Sequence, residues 1–410
     1  AEQISYAERV RAIQQKTFNK PPKATVITYG CQQNVSDSER LKGMLVLMGY
    51  ELCENAEESD FVIFNTCAVR GHAEDRVYGN VGSMKRLKAQ NKNMLVAVCG
   101  CMAQQESASN RFKQSYPYVD ILFGTQVFHR LPEFVYKRLT SGKRVFEFAL
   151  SNEKIVEDIP TVRDGKYRAF IPIMYGCNNL CTYCIVPYVR GRERSREASE
   201  IIKEAKELIS QGYKEIMLLG QNVNSYGKDL GGGMNFAKLL RMIDALEGDF
   251  RIRFMTSHPK DCTDELLDAI RDCKKIERHL HLPFQAGSDR ILKLMNRRYD
   301  SATYLSLIEK TKERIPDMSF STDIIVGFPG ETYEDFKETL KIVKTVKYDS
   351  LFTFIFSPRA GTPAEKMEDP VSREEKGKWF TELLRVQEQI AYENSKTAVG
   401  KTLSGLGAIV

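Results

Sequence analysis

Short apolar runs alternate along the chain with longer amphipathic stretches. Ala24 to Tyr29, Asp60 to Phe64 and Met94 to Val98 are rich in Val, Ile and Phe, and each is followed by a polar segment of helical character. Near-continuous hydrophobicity over about five residues marks strands buried on both faces of a parallel sheet. A second series has candidate strands at Phe170 to Met174, Glu215 to Leu219, Arg251 to Met255, His279 to Leu282, Ser319 to Val326 and Ser350 to Phe356. Helical patterns such as Glu197 to Gln211, Phe236 to Leu246 and Glu331 to Thr345 separate them. This rhythm fits a partial or full parallel barrel better than an open sheet. The expected fold class is therefore α/β, an N-terminal parallel-sheet domain followed by a partial β/α barrel.

The same pattern sets the expected boundaries. Residues 1–23 form an amphipathic helix, 24–145 the first domain, 146–168 a linker carrying Pro160, Asp164 and Gly165, and 169–395 the barrel, ending in the charged helix Ser372 to Lys396. Residues 396–410 only begin a further, strand-like element. The longest apolar runs, Met94 to Val98 and Ile324 to Phe328, fall far short of the roughly 20 residues that span a bilayer. The N-terminus carries Glu8, Arg9, Arg11 and Lys16 in place of the apolar centre of a signal peptide. A cytoplasmic protein without a membrane partner is expected. Apolar residues at 42% and charged residues at 28% are ordinary globular values and exclude disordered, collagenous and membrane classes. A net charge of +6 permits a nucleic-acid partner without requiring one.

Ten cysteines change the picture. In a reducing compartment they are better explained by metal binding than by disulfides. Cys177, Cys181 and Cys184 form a C-x3-C-x2-C loop directly after the first barrel strand, at the strand end where parallel barrels place their active sites. A [4Fe-4S] cluster ordinarily takes four thiolates. Three leave one metal position open to a small molecule, as in catalytic zinc sites. A zinc site completed by a distant residue, or three accidental neighbours, are the alternatives. Cys31, Cys67 and Cys101 each follow one of the first three strands, with spacings of 36 and 34 residues. One strand–helix unit per interval lets them meet at the C-terminal edge of a single sheet. Cys99 belongs to the apolar run and is expected in the core, whereas Cys101, after Gly100, is free to turn outward. Three buried structural cysteines are the alternative. Cys53, Cys262 and Cys273 read as ordinary.

C-x3-C-x2-C with an aromatic before the last cysteine resembles the radical S-adenosylmethionine enzymes. The resemblance implies that the open iron is chelated by S-adenosylmethionine, that Tyr183 lies against its adenine, and that reductive cleavage gives a 5′-deoxyadenosyl radical. With the second triad the likeness narrows to the MiaB-type tRNA methylthiotransferases. It is carried by Tyr29-Gly-Cys-Gln-Gln-Asn34 with Asp37-Ser-Glu39, Asn65-Thr-Cys-Ala-Val-Arg70, and Cys99-Gly-Cys-Met-Ala103. In the second half it is carried by Ile185-Val-Pro-Tyr-Val-Arg-Gly191, Gly220-Gln-Asn-Val-Asn224, Ser257-His-Pro259, Leu282-Pro-Phe-Gln-Ala-Gly-Ser288, Asn296-Arg-Arg-Tyr299 and Asp323 to Glu331. Gln33 departs from the usual methionine and leaves Cys31 untouched.

The family implies two [4Fe-4S] clusters, one on Cys177, Cys181 and Cys184 and an auxiliary one on Cys31, Cys67 and Cys101. It also implies two S-adenosylmethionines per methylthio group placed on C2 of N6-dimethylallyladenosine 37, a tRNA anticodon loop as partner, an external electron donor, and a monomer. Asn222, Ser257 and Gln285 are expected at strand ends facing S-adenosylmethionine, with Arg196 anchoring a carboxylate or phosphate; turn or cap roles are the alternative for each. Arg70, Arg192 and Arg194 are expected to contact substrate, with Lys166 and Arg168 as further backbone contacts. Members usually end in a small RNA-binding TRAM-like β-barrel, of which 396–410 is only the beginning. The rival readings are a methylthiotransferase acting on threonylcarbamoyl-adenosine or a ribosomal protein, and a non-catalytic metal-containing RNA-binding protein.

Overall fold

The computed structural model describes residues 2–68, 71–148, 155–397 and 399–400. Part of the expected linker (149–154) and the expected start of a β-barrel (401–410) lie outside them. The chain divides into two units, residues 1–166 with 185–192, and residues 167–184 with 193–410.

The first unit runs α1 (Glu2–Thr17), β1 (Lys23–Thr28), α2 (Gln32–Leu47), β2 (Glu51–Leu52), β3 (Phe61–Thr66), α3 (Gly71–Gln90), β4 (Leu95–Gly100), α4 (Cys101–Gln104), α5 (Glu106–Ser115), β5 (Ile121–Phe123), α6 (Leu131–Ser141) and β6 (Val145–Glu147), with α7 (Val186–Arg190) added from later in the chain. Its strands form one parallel sheet in the order β2-β1-β3-β4-β5-β6. β3 and β4 are buried at every position. Phe61, Ile63, Leu95 and Ala97 pack with Leu41, Leu45 and Phe134 on one face, while Val62, Phe64, Val96 and Val98 pack with Val77, Val81 and Phe112 on the other. That two-sided burial is why these strands lack a polar alternation. The sheet is wider than the three strands the pattern predicts: β2, β5 and β6 are only two or three residues long, below the length at which periodicity registers.

The second unit runs β7 (Arg168–Pro172), β8 (Met174–Tyr175), β9 (Arg194–Ser195), α8 (Ala198–Ser210), β10 (Glu215–Leu219), α9 (Phe236–Asp244), β11 (Arg251–Phe254), α10 (Asp264–Asp272), β12 (His279–His281), α11 (Asp289–Leu294), α12 (Ser301–Arg314), β13 (Ser319–Val326), α13 (Tyr333–Val346), β14 (Ser350–Ile355) and α14 (Arg373–Lys396). β7, β10 and β11 pair in parallel, as do β12, β13 and β14. A bridge from Ile252 to Ile276 joins the two sets, and among the described residues β7 and β14 do not pair, so the barrel is partial. Ile216, Leu218, Ile252, Phe254, Phe320 and Ile324 face the helices Ile201, Leu239, Leu266 and Phe336 belong to. The opposite side of the strands carries ion pairs, Arg168 and Arg253 to Glu215 and Arg253 to Glu277. Arg168 is thus paired within this unit while half of its side chain stays exposed. The α13 start is fixed by a capping box in which Thr332 and Asp335 satisfy each other's backbone donors. Trp379 of α14 stacks on Phe336 at 5.6 Å, which seats the terminal helix.

Candidate functional site

In the first unit the three cysteines sit at the ends of adjacent strands. Cys31 is the cap residue before α2, Cys67 follows β3, and Cys101 opens α4 directly after β4. Their convergence depends on two glycines. Gly30 has φ +119° and Gly100 φ +93°, the left-handed region that favours glycine. A Cβ on Gly30 would lie 2.6 Å from the Cys67 Cβ, and one on Gly100 would lie 2.4 Å from the Thr66 carbonyl oxygen. Gly30→Ala is therefore expected to displace Cys67 and to cost roughly 1–3 kcal/mol from strained backbone alone. Iron content and the thermal midpoint measure both effects; normal iron with an unchanged midpoint would contradict them.

Cys99 is buried in the core, as expected. Cys101 leaves the strand but does not turn out to solvent. It packs with Ala68, Ile185 and Val189, because α7 returns to cover it. Burial pushes the Cys101 thiol up to about 12, opposed by the Arg190 guanidinium and reinforced by the nearby Cys67 and Cys31. Asn34 ties the strand ends together: its Nδ2 donates to Asn65 Oδ1 (3.2 Å) and to the Thr66 carbonyl (2.9 Å), and its Oδ1 accepts from Cys31 Sγ (3.4 Å). Asn65 Nδ2 donates in turn to the Asn34 carbonyl (2.8 Å) and to Ser38 Oγ (2.9 Å).

In the second unit Cys177, Cys181 and Cys184 occupy the loop after β8, and the Cys184 N–H donates to the Cys181 carbonyl at 3.0 Å. The loop is pinned by Thr182 N–H to the Met295 carbonyl (3.1 Å) and Asn296 Nδ2 to the Leu180 carbonyl (2.8 Å). Burial pushes the Cys177 thiol up to about 11. Arg297 is buried beside this triad, donating to Cys181 Sγ (3.5 Å), the Pro283 carbonyl (2.8 Å) and Tyr299 (3.1 Å). Tyr183 stands edge-on to Phe328 at 6.3 Å.

Asn222 and Ser257 follow the ends of β10 and β11. Asn222 Nδ2 donates to Asp261 at 2.7 Å, while Asn222 Oδ1 and Ser257 Oγ are buried without a partner among the described residues. Such orphaned groups are costly and mark a place where a polar ligand belongs. Gln285 is held at φ +71° after β12, a strained setting that clusters at functional sites. Burial pulls His258 down to about 2, so it stays neutral near pH 7 and holds the Lys260 N–H instead of moving protons. Arg196 is buried and donates to Glu204 (2.7 Å) and the Pro172 carbonyl (2.8 Å), which fix its position. Arg192 is exposed and Arg194 half-buried. Arg70 lies outside the described residues.

Each triad offers three thiols and no histidine or carboxylate, a soft donor set suited to iron–sulfur or zinc. Among the described residues no three His, Cys, Asp or Glu side chains close on a single ion, as zinc ligands at about 2.0–2.3 Å from the metal would. No local pattern marks Arg190 and Arg297 as neighbours of the triads, although they lie in the segments Val186-Pro-Tyr-Val-Arg190 and Asn296-Arg-Arg-Tyr299.

Comparison with known proteins agrees with this division. Residues 171–343 match the Radical SAM superfamily, and residues 23–124 match Uncharacterized protein family UPF0004. The chain is 54% identical over 376 residues to a tRNA-2-methylthio-N6-dimethylallyladenosine synthase of Caldicellulosiruptor saccharolyticus, covering 92% of this chain and 80% of that one. It is 50% identical over 404 residues to the synthase of the same name from Acetivibrio thermocellus, covering 98% and 83%. Among solved structures, the radical S-adenosylmethionine methyltransferase TsrM of Kitasatospora setae superposes with a TM-score of 0.61 at 13% identity, over 84% of this chain and 75% of that one. The last likeness is one of fold.

Proposed function

The chain belongs to the tRNA-2-methylthio-N6-dimethylallyladenosine synthases within the radical S-adenosylmethionine superfamily, and from that membership we infer how its residues divide the work. It places a methylthio group on C2 of N6-dimethylallyladenosine in tRNA, using S-adenosylmethionine and [4Fe-4S] clusters. The observation that carries the division is the pair of cysteine triads, one in each unit, each a three-thiol set with a buried arginine beside it.

Cys177, Cys181 and Cys184 would hold one cluster, and Cys31, Cys67 and Cys101 the other. When bound, the first supplies the radical chemistry of S-adenosylmethionine and the second the sulfur to be methylated and inserted. The C2 hydrogen of adenine is beyond an ordinary side-chain base near neutral pH, which is why cofactor chemistry is called for. Its own residues bind and orient. Arg297 offsets thiolate charge at Cys181. Asn222 Oδ1 and Ser257 Oγ take the polar groups of S-adenosylmethionine, Tyr183 and Gln285 line its adenosyl end, and Arg196 acts as an anchor fixed by Glu204. Arg70, Arg192 and Arg194 hold the anticodon backbone, a contribution that weakens with salt. The target base leaves its stack to be reached. A monomeric state, an external electron donor and a cytoplasmic location complete the proposal.

The test is anaerobic turnover on three anticodon stem-loops, carrying dimethylallyl-adenosine, unmodified adenosine or threonylcarbamoyl-adenosine. Methylthio product is expected from the first alone. Product from the threonylcarbamoyl substrate instead would overturn the substrate assignment.

A further inference from the structure

Arg190 ends α7, and its side chain is 6% exposed. One nitrogen, Nη2, donates to Asp37 Oδ2 at 2.9 Å and to Asn34 Oδ1 at 3.4 Å; the neighbouring Val189 packs on Cys101, and the guanidinium is near enough to the Cys101 thiol for their charges to interact. Its position is set from behind: Thr125 Oγ1 donates to the Val189 carbonyl and Gln126 Nε2 to the Arg190 carbonyl at 3.2 Å. Asp37 is buried too and also accepts from Gln33 Nε2 at 3.1 Å.

Without a guest the charges in this pocket balance. Arg190 cannot give up its proton, and Asp37 answers its single charge. Ligation strips the protons from Cys31, Cys67 and Cys101, adding negative charge in a region where burial makes it expensive. The Cys31 thiol then no longer donates to Asn34 Oδ1, which keeps Arg190 as its donor. A fixed cation at that place favours the more reduced, more negative form of whatever the thiolates hold, and the carboxylate beside it does the reverse.

We propose that Arg190 is the positioning residue that, balanced by Asp37, sets the reduction potential of the group held by Cys31, Cys67 and Cys101. The proposal rests on the reading that this triad carries a [4Fe-4S] cluster.

The experiment uses the full chain with C177A, C181A and C184A, loaded anaerobically with iron and sulfide so that only the second triad carries a cluster, and follows reduction by electron paramagnetic resonance during a potentiometric titration. R190M is expected to shift the reduction equilibrium about tenfold toward the oxidised form, a fall of 59 mV for one electron. D37N is expected to shift it about tenfold the other way, and R190K to stay near the parent. Opposite shifts are what a merely structural role does not produce. Equal or same-sign shifts in R190M and D37N overturn the proposal. Should R190M fail to take up iron, D37N decides: a raised potential with R190K unmoved supports the proposal, and an unmoved D37N overturns it. A parent that takes up no iron overturns the cluster reading itself, whereas a loaded parent with unmoved variants overturns this inference alone.

Discussion

Replacing Cys181 by alanine abolishes cleavage of S-adenosylmethionine and with it all methylthio product. Cys181 is the middle cysteine of the barrel triad, buried, and the one whose sulfur meets Arg297 at 3.5 Å. Losing an outer-shell partner of a metal site costs roughly 10–100-fold; losing a direct ligand costs more than the upper end of that range. Anaerobic assay of 5′-deoxyadenosine release, alongside iron content, checks it. Cys273→Ala is the control, since Cys273 packs in the barrel core and belongs to neither triad. A Cys181 variant that still cleaves S-adenosylmethionine at the parent rate would remove the basis for assigning the radical step to this loop.

Cys67→Ala has an equally large effect on product and a different one on cleavage. Cys67 belongs to the other unit, where its side chain lies against Gly30. The variant is expected to go on cleaving S-adenosylmethionine within about twofold of the parent, the additivity found for sites that share no partners, while forming no methylthio-adenosine. Cleavage without insertion is the signature of two triads with two jobs. Methylthio product from the Cys67 variant would show that the sulfur comes from elsewhere.

The two triads differ in how they could be read. The barrel triad lies within eight consecutive residues from Cys177 to Cys184, so its chemistry is visible without knowing the fold. The other spans three strand–helix units and becomes visible only through the inference that β1, β3 and β4 are neighbours, which the parallel ladders bear out. What escaped was tertiary. α7 follows the barrel cysteines in sequence yet packs on Cys101 in the first unit, so a cysteine expected to turn outward is covered. Arg190 reaches Asn34 from 156 positions away, and no local pattern announces that. Arg168 and Arg196 are legible as contacts for phosphate or carboxylate, but sequence shows a charge and not its partner, here Glu215 and Glu204. Asn222 and Ser257 were legible as polar residues following buried strands, while the vacancy of their oxygens was not. β5 and β6 were missed because three residues carry too little periodicity to separate from a loop.

The central claim is that this chain converts N6-dimethylallyladenosine in tRNA to its 2-methylthio derivative. Mass spectrometry of tRNA nucleosides from cells lacking the protein tests it most directly. The account predicts accumulated N6-dimethylallyladenosine and no methylthio derivative, restored by the parent chain but not by its Cys67 variant. A nucleoside profile unchanged by the loss would contradict it.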